Sequence, residues 1–158
     1  MRTKRIFAIL SLIGLLAVLT TTVYATTSRA QSATPSLVGT WKMTIPQTPN
    51  GPELTEALQS FFADGNFIET NNDPRAGSLA HGIWIGTGNT YLLTFQVFTF
   101  DEQGKYNGKR TIHSSIKMDN ADHYTSHFVT DSIDLAGKVT KNVFAGTLEA
   151  TRMEPELP

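Results

Sequence analysis

Four histidines, at positions 81, 113, 123 and 127, and a few carboxylates beside apolar stretches are the residues through which this chain could do metal or acid–base chemistry. A three-residue register between the stretches 109–118 and 123–131 sets His113 opposite His127, next to Ser115 and Thr125. Two imidazoles with no third ligand at a predictable spacing do not make a zinc or copper centre, so no metal is expected and a solvated sheet face accounts for them. Asp73 and Asp101 are expected in loops, with Glu69 near the same end, which brings an acid close to an apolar pocket. Asp64 and Asp134 are explained by turn geometry. There is no nucleophile elbow, glycine-rich phosphate loop or H-E-x-x-H helix, and no cofactor is expected.

The apolar residues carry more information. Residues 79–101, LAHGIWIGTGNTYLLTFQVFTFD, read as a β-hairpin whose two-residue turn is Gly88-Asn89. That turn sets Trp84 opposite Leu93, Gly86 opposite Tyr91 and Gly82 opposite Phe95, so large groups sit beside glycines and leave room near the wall. This face continues onto Ile112, Ser114 and Ile116, then onto Tyr124 and Phe128. The expected ligand-binding set is Trp84, Tyr91, Phe95, Val97, Ile112, Tyr124 and Phe128; filling of a small core is the plainer account of the same side chains. The other face carries Ile83, Ile85, Leu92, Phe98 and Phe100, too apolar to meet water alone, and a second copy of the chain is expected to cover it. A one-residue slip in the turn would exchange the two faces.

These faces need strands to hold them. Alternation places strands at 37–45, 57–63, 66–70, 109–118, 123–131 and 139–153 around the hairpin, the last bent or bulged at Gly146. Connections after the second, fourth and sixth strands are tight; those after the first, third and fifth (46–56, 71–80 and 101–108) are expected to be long. Alternate connections of an up-and-down arrangement lie at one end, so the expected fold is all-β, an eight-stranded antiparallel up-and-down barrel shaped as a cup.

Gly39-Thr40-Trp41 resembles the G-x-W signature of the lipocalins and related calycin barrels, and Arg152 stands where their arginine packs across that tryptophan. The resemblance covers roughly residues 37–153 and implies a barrel that binds a small hydrophobic molecule. Avidin-like barrels also begin Gly-Thr-Trp, and Asp119-Asn120-Ala121-Asp122 stands where lipocalins carry a Thr-Asp-Tyr-like motif, so lipocalin-like is the term used. Allene oxide cyclase and dirigent barrels resemble this architecture too, which implies the alternative of a cyclase or isomerase that moulds a hydrophobic substrate in an aromatic pocket. A third reading is an inert scaffold whose loops contact another protein.

Residues 1–25 have the basic start, apolar run and small-residue exit of a signal peptide, which implies a secreted or periplasmic protein with no stable membrane insertion after cleavage. An uncleaved anchor over residues 6–25 is the alternative. Residues 26–36 read as a tether and 154–158 as a tail. Without cysteine, neither a disulfide nor lipid attachment through an N-terminal cysteine is available. Losing Arg2, Lys4 and Arg5 leaves 10 basic against 14 acidic residues, a net charge of about −4 with scattered cations, which argues against nucleic acid as a partner.

Overall fold

The computed structural model describes residues 36–45, 55–72 and 79–155. The segment expected to form a signal peptide (1–25), most of the expected tether (26–35), the end of the expected tail (156–158), and residues 46–54 and 73–78, with Asp73, lie outside the described residues. Eight strands follow one another: β1 (Gly39–Ile45), β2 (Thr55–Phe61), β3 (Asn66–Asn71), β4 (Ala80–Thr87), β5 (Thr90–Phe100), β6 (Tyr106–Met118), β7 (His123–Asp134) and β8 (Val139–Arg152). Each pairs antiparallel with the next, and β1 pairs with β8, which closes the barrel.

The hairpin β4–β5 has the expected register, with Trp84 against Leu93, Gly86 against Tyr91 and Gly82 against Phe95. Alternation on β5 is complete over its central part: Tyr91, Leu93, Phe95 and Val97 are buried in the interior, while Leu92, Thr94, Gln96 and Phe98 are exposed. The glycines opposite the rings are required by space. A Cβ on Gly82 would stand 2.4 Å from Phe95 Cβ, and one on Gly86, at φ +151°, would stand 2.4 Å from the Thr90 carbonyl oxygen.

Three expectations are corrected. The segment 101–108 is not a long loop: Asp101 N–H bonds to Lys105 O, and Asp101 Oδ1 accepts the N–H groups of Gln103 and Lys105, closing a tight turn from which β6 already starts at Tyr106. The β7–β8 turn repeats this device from Asp134, with the same Asp-x-x-Gly-Lys pattern and the glycine at positive φ in both (Gly104 +75°, Gly137 +80°). The irregularity of the last strand is not at Gly146, which pairs regularly with Phe128. It lies where Asp131 faces the segment around Asn142, itself at φ +52°. There Asp131 Oδ1 accepts the Asn142 N–H and Oδ2 accepts Lys141 Nζ at 2.6 Å, so the carboxylate fills the bulge and Lys141 holds it below the usual carboxylate range. Finally, the β6–β7 turn is longer than expected, because Asp119 and Asn120 both donate N–H groups to His123 O. His127 therefore pairs with Ser115 and His113 with Val129.

The end that holds the β2–β3, β4–β5 and β6–β7 turns is packed solid. Leu37 and Trp41 are fully buried there, Trp41 Nε1 donates to Leu37 O, and the Arg152 guanidinium lies over the Trp41 ring with its carbon 4.2 Å from the centroid. The guanidinium also donates to the carbonyls of Ser36, Val38 and Ala121 at 2.6–2.9 Å. Gly39 leaves space for it, since a Cβ there would stand 2.5 Å from Arg152 Nη1. Arg152→Ala removes a cation from an aromatic face and a shared donor from three carbonyls, an expected loss of about 3 kcal/mol. Thermal unfolding should show Tm lowered by roughly 10 °C; an unchanged Tm would mean that the closure does not rest on this side chain.

Candidate functional site

Beyond the packed end the interior opens into a cavity of about 410 Å³. Every strand except β4 contributes to its wall. Alternation brings Phe95 and Val97 in from β5, Ile112 and Ile116 from β6, Phe128 from β7 and Leu148 from β8, so the lining is largely apolar. Of the residues expected from the sequence, Phe95, Val97, Ile112, Tyr124 and Phe128 line it. Trp84 and Tyr91 share the inward face but lie at the packed end, outside the cavity wall. The two rings stack edge-on with centroids 5.5 Å apart, Trp84 Nε1 donates to the carbonyls of Phe62 and Asn66, and Tyr91 Oη donates to Gly88 O.

Polar groups enter the wall at a few places. Ser114 and Ser126 are hydrogen-bonded to each other at 2.6 Å, and Ser126 Oγ also donates to Ser115 O. Arg110, Thr130, Thr55 and Asn71 line it toward the end away from the packed tryptophan. Arg110 is the basic residue of the described wall. Deeper, three side chains form a directed chain: Tyr124 Oη donates to Gln59 Oε1, and Gln59 Nε2 donates to Glu69 Oε2 at 2.6 Å.

This chain of hydrogen bonds ends on a buried carboxyl in the cavity wall. Glu69 is 6% exposed, and among the described residues no cation pairs with it. Burial pushes its pKa up to about 7, against the opposing effect of the Gln59 hydrogen bond. Burial, and then the Glu69 charge, push the Tyr124 phenol well above its ordinary range. The alternation that exposed the hairpin's inner face also points to these residues, since Gln59 is in phase with Ala57 and Phe61, and Glu69 with Phe67.

The other candidate groups are elsewhere. Asp101 is held by its turn, and the histidines are on the outside: His113 approaches Asp131 at 3.5 Å and His123 bonds to Asp119 at 2.8 Å. Among the described residues no three His, Asp or Glu side chains gather as metal ligands.

Glu69 ties stability to pH in a definite direction. Its folded pKa lies above the unfolded value of about 4.5, so its contribution is fully present below pH 4.5 and lost as pH rises through about 7. The loss amounts to about 3 kcal/mol at alkaline pH. Glu69→Gln keeps the shape without the ionisation. Its Tm advantage over the wild type should grow between about pH 5 and pH 8, read by calorimetry; an advantage that stays constant across that window refutes the assignment. Comparison with protein-family models, with curated proteins and with solved structures returns no match for this chain.

Proposed function

We propose that this chain is a lipocalin-like, secreted or periplasmic protein that binds a small hydrophobic or amphiphilic molecule inside its barrel. The observation that carries the reading is the cavity. At about 410 Å³ it falls within the size range of small-molecule sites, and it combines an apolar wall with a few polar groups at set positions. Phe95, Val97, Ile112 and Phe128 supply area for an apolar body, and Arg110 suits a polar or anionic end near the mouth. The arginine-on-tryptophan packing at the opposite end supports the lipocalin-like comparison.

A second reading, a cyclase or isomerase acting on a hydrophobic substrate, is favoured by one observation, the Glu69 carboxyl in the wall of the same cavity. In either case the outside of the barrel matters. Ile83, Ile85, Leu92, Phe98 and Phe100 are all exposed on adjoining strands, Ile85 by 67%, and a second copy of the chain covering them is the assembly that suits an apolar outer sheet.

Native mass spectrometry of protein purified from its own source should show a bound lipophilic molecule. With a hydrophobic fluorescent dye as probe, Val97→Trp, which fills the cavity, should weaken binding at least about tenfold, while the outward Ile85→Ser leaves it within about twofold. Equal effects of the two changes would count against an interior site. Light scattering at micromolar concentration should give a dimer or larger species, and Ile85→Lys with Leu92→Lys should give a monomer. A monomeric wild type would remove the oligomer proposal.

A further inference from the structure

A passive apolar container has no use for the Glu69 carboxyl. Glutamine at that position would accept the same hydrogen bond from Gln59 and spare the barrel a buried charge without a counterion. The surrounding bonds hold the carboxyl in one orientation. Because Tyr124 donates to the amide oxygen of Gln59, the Gln59 nitrogen is the atom turned to Glu69, and it bonds to Oε2. Among the described residues Oε1 takes no hydrogen bond, and Glu69 belongs to the cavity wall. One oxygen is tethered and the other is open to whatever fills the cavity.

The groups around it leave the proton to Glu69. The flanking strands β2 and β4 present neutral Gln59 and Ala80 beside it. Across the cavity, β1 presents Met43, β5 Leu93 and Phe95, and β8 Leu148, all apolar. The titratable and charged groups of the described wall are Tyr124 on β7 and Arg110 on β6, and the Tyr124 proton is engaged by Gln59.

We propose that Glu69 is a general base and acid that moves a proton within an apolar carbonyl compound held in the cavity, shifting a carbon–carbon double bond into conjugation with the carbonyl. This rests on the cavity being a ligand site. Glu69 Oε1 takes the proton from the carbon between the carbonyl and the double bond, and the C–H electron pair moves toward the carbonyl to give a dienolate. The same carboxyl then returns that proton to the far carbon of the original double bond. The product is an isomer of the substrate, and no co-reactant is consumed. A carboxyl that shifts between ionised and protonated forms near neutral pH suits both half-steps. Arg110 is the cation available in the same wall to the dienolate oxygen. Gln59 and Tyr124 act as positioning residues for the carboxyl.

The test uses cyclohex-3-enone as substrate and ultraviolet absorbance of the conjugated product as readout, from about pH 4 to pH 9. The wild type should accelerate the isomerisation over buffer, with kcat/KM rising to a plateau and a midpoint near 7. Glu69→Gln should lower kcat/KM by about 100-fold or more while still binding the hydrophobic dye, which shows that it is folded. Tyr124→Phe, which removes the donor to Gln59, should move the pH midpoint upward. Three results would overturn the proposal: a Glu69→Gln rate within about twofold of the wild type, a midpoint in the ordinary carboxylate range, or no acceleration by a wild type that binds the dye. The last leaves the binding function standing, whereas a wild type that neither isomerises nor binds removes both.

Discussion

The barrel depends on the meeting of its first and last strands, and one guanidinium secures that meeting. Only four residue pairs join β1 to β8, from Trp41 with Arg152 to Thr44 with Glu149. So short a ladder holds few hydrogen bonds against the entropy of bringing both ends of the chain together. Arg152 adds to it by spanning the segment before β1, the Trp41 ring and the β6–β7 turn at once. Closing the sheet also removes the edges that strands as apolar as β4 and β5 would offer to other chains.

The interior divides at the level of Tyr124. On one side its ring packs edge-on against Trp41, with centroids 5.0 Å apart, and against Phe61, which continues the aromatic plug to Phe67 and Trp84. On the other side its hydroxyl starts the hydrogen-bonded chain to Glu69. Past that level the inward positions of β6 and β7 hold Ser114 and Ser126, which bond to each other and are too small to fill the space toward the opposite wall. The cavity follows from this change in side-chain volume along the axis, and the plug provides its floor.

Strand order, the hairpin register and the inward face were all legible in the sequence, because two-residue turns and period-two alternation act locally and point the same way. The pairing of Arg152 with Trp41 was legible too, through the resemblance of Gly39-Thr40-Trp41. Alternation tells inside from outside but not depth along the barrel, so Trp84 and Tyr91 could not be told from Phe95 and Val97, although only the latter pair borders the cavity. The two Asp-x-x-Gly-Lys turns were readable in principle, since an aspartate that accepts two N–H groups needs a glycine at positive φ three residues on. The bulge at Asp131 was not, because it depends on Lys141 and Asn142 reaching back across the sheet. In the sequence Glu69 reads as an acid near the open end. That it is buried without a counterion is a property of the closed barrel.

The strands are unequal: β1 to β4 have 6–8 residues and β5 to β8 have 11–14. The long ones are successive, and their hairpins turn through a few residues each, so they can zip from contacts close in sequence with little loop-closure entropy. The seam between β1 and β8 waits for the whole chain. The hairpins therefore need only contacts close in sequence, whereas closure of the barrel needs both ends of the chain. The β1–β8 seam is one of two four-pair ladders in the barrel wall, the other joining β3 to β4, and the seam alone carries the Arg152 brace.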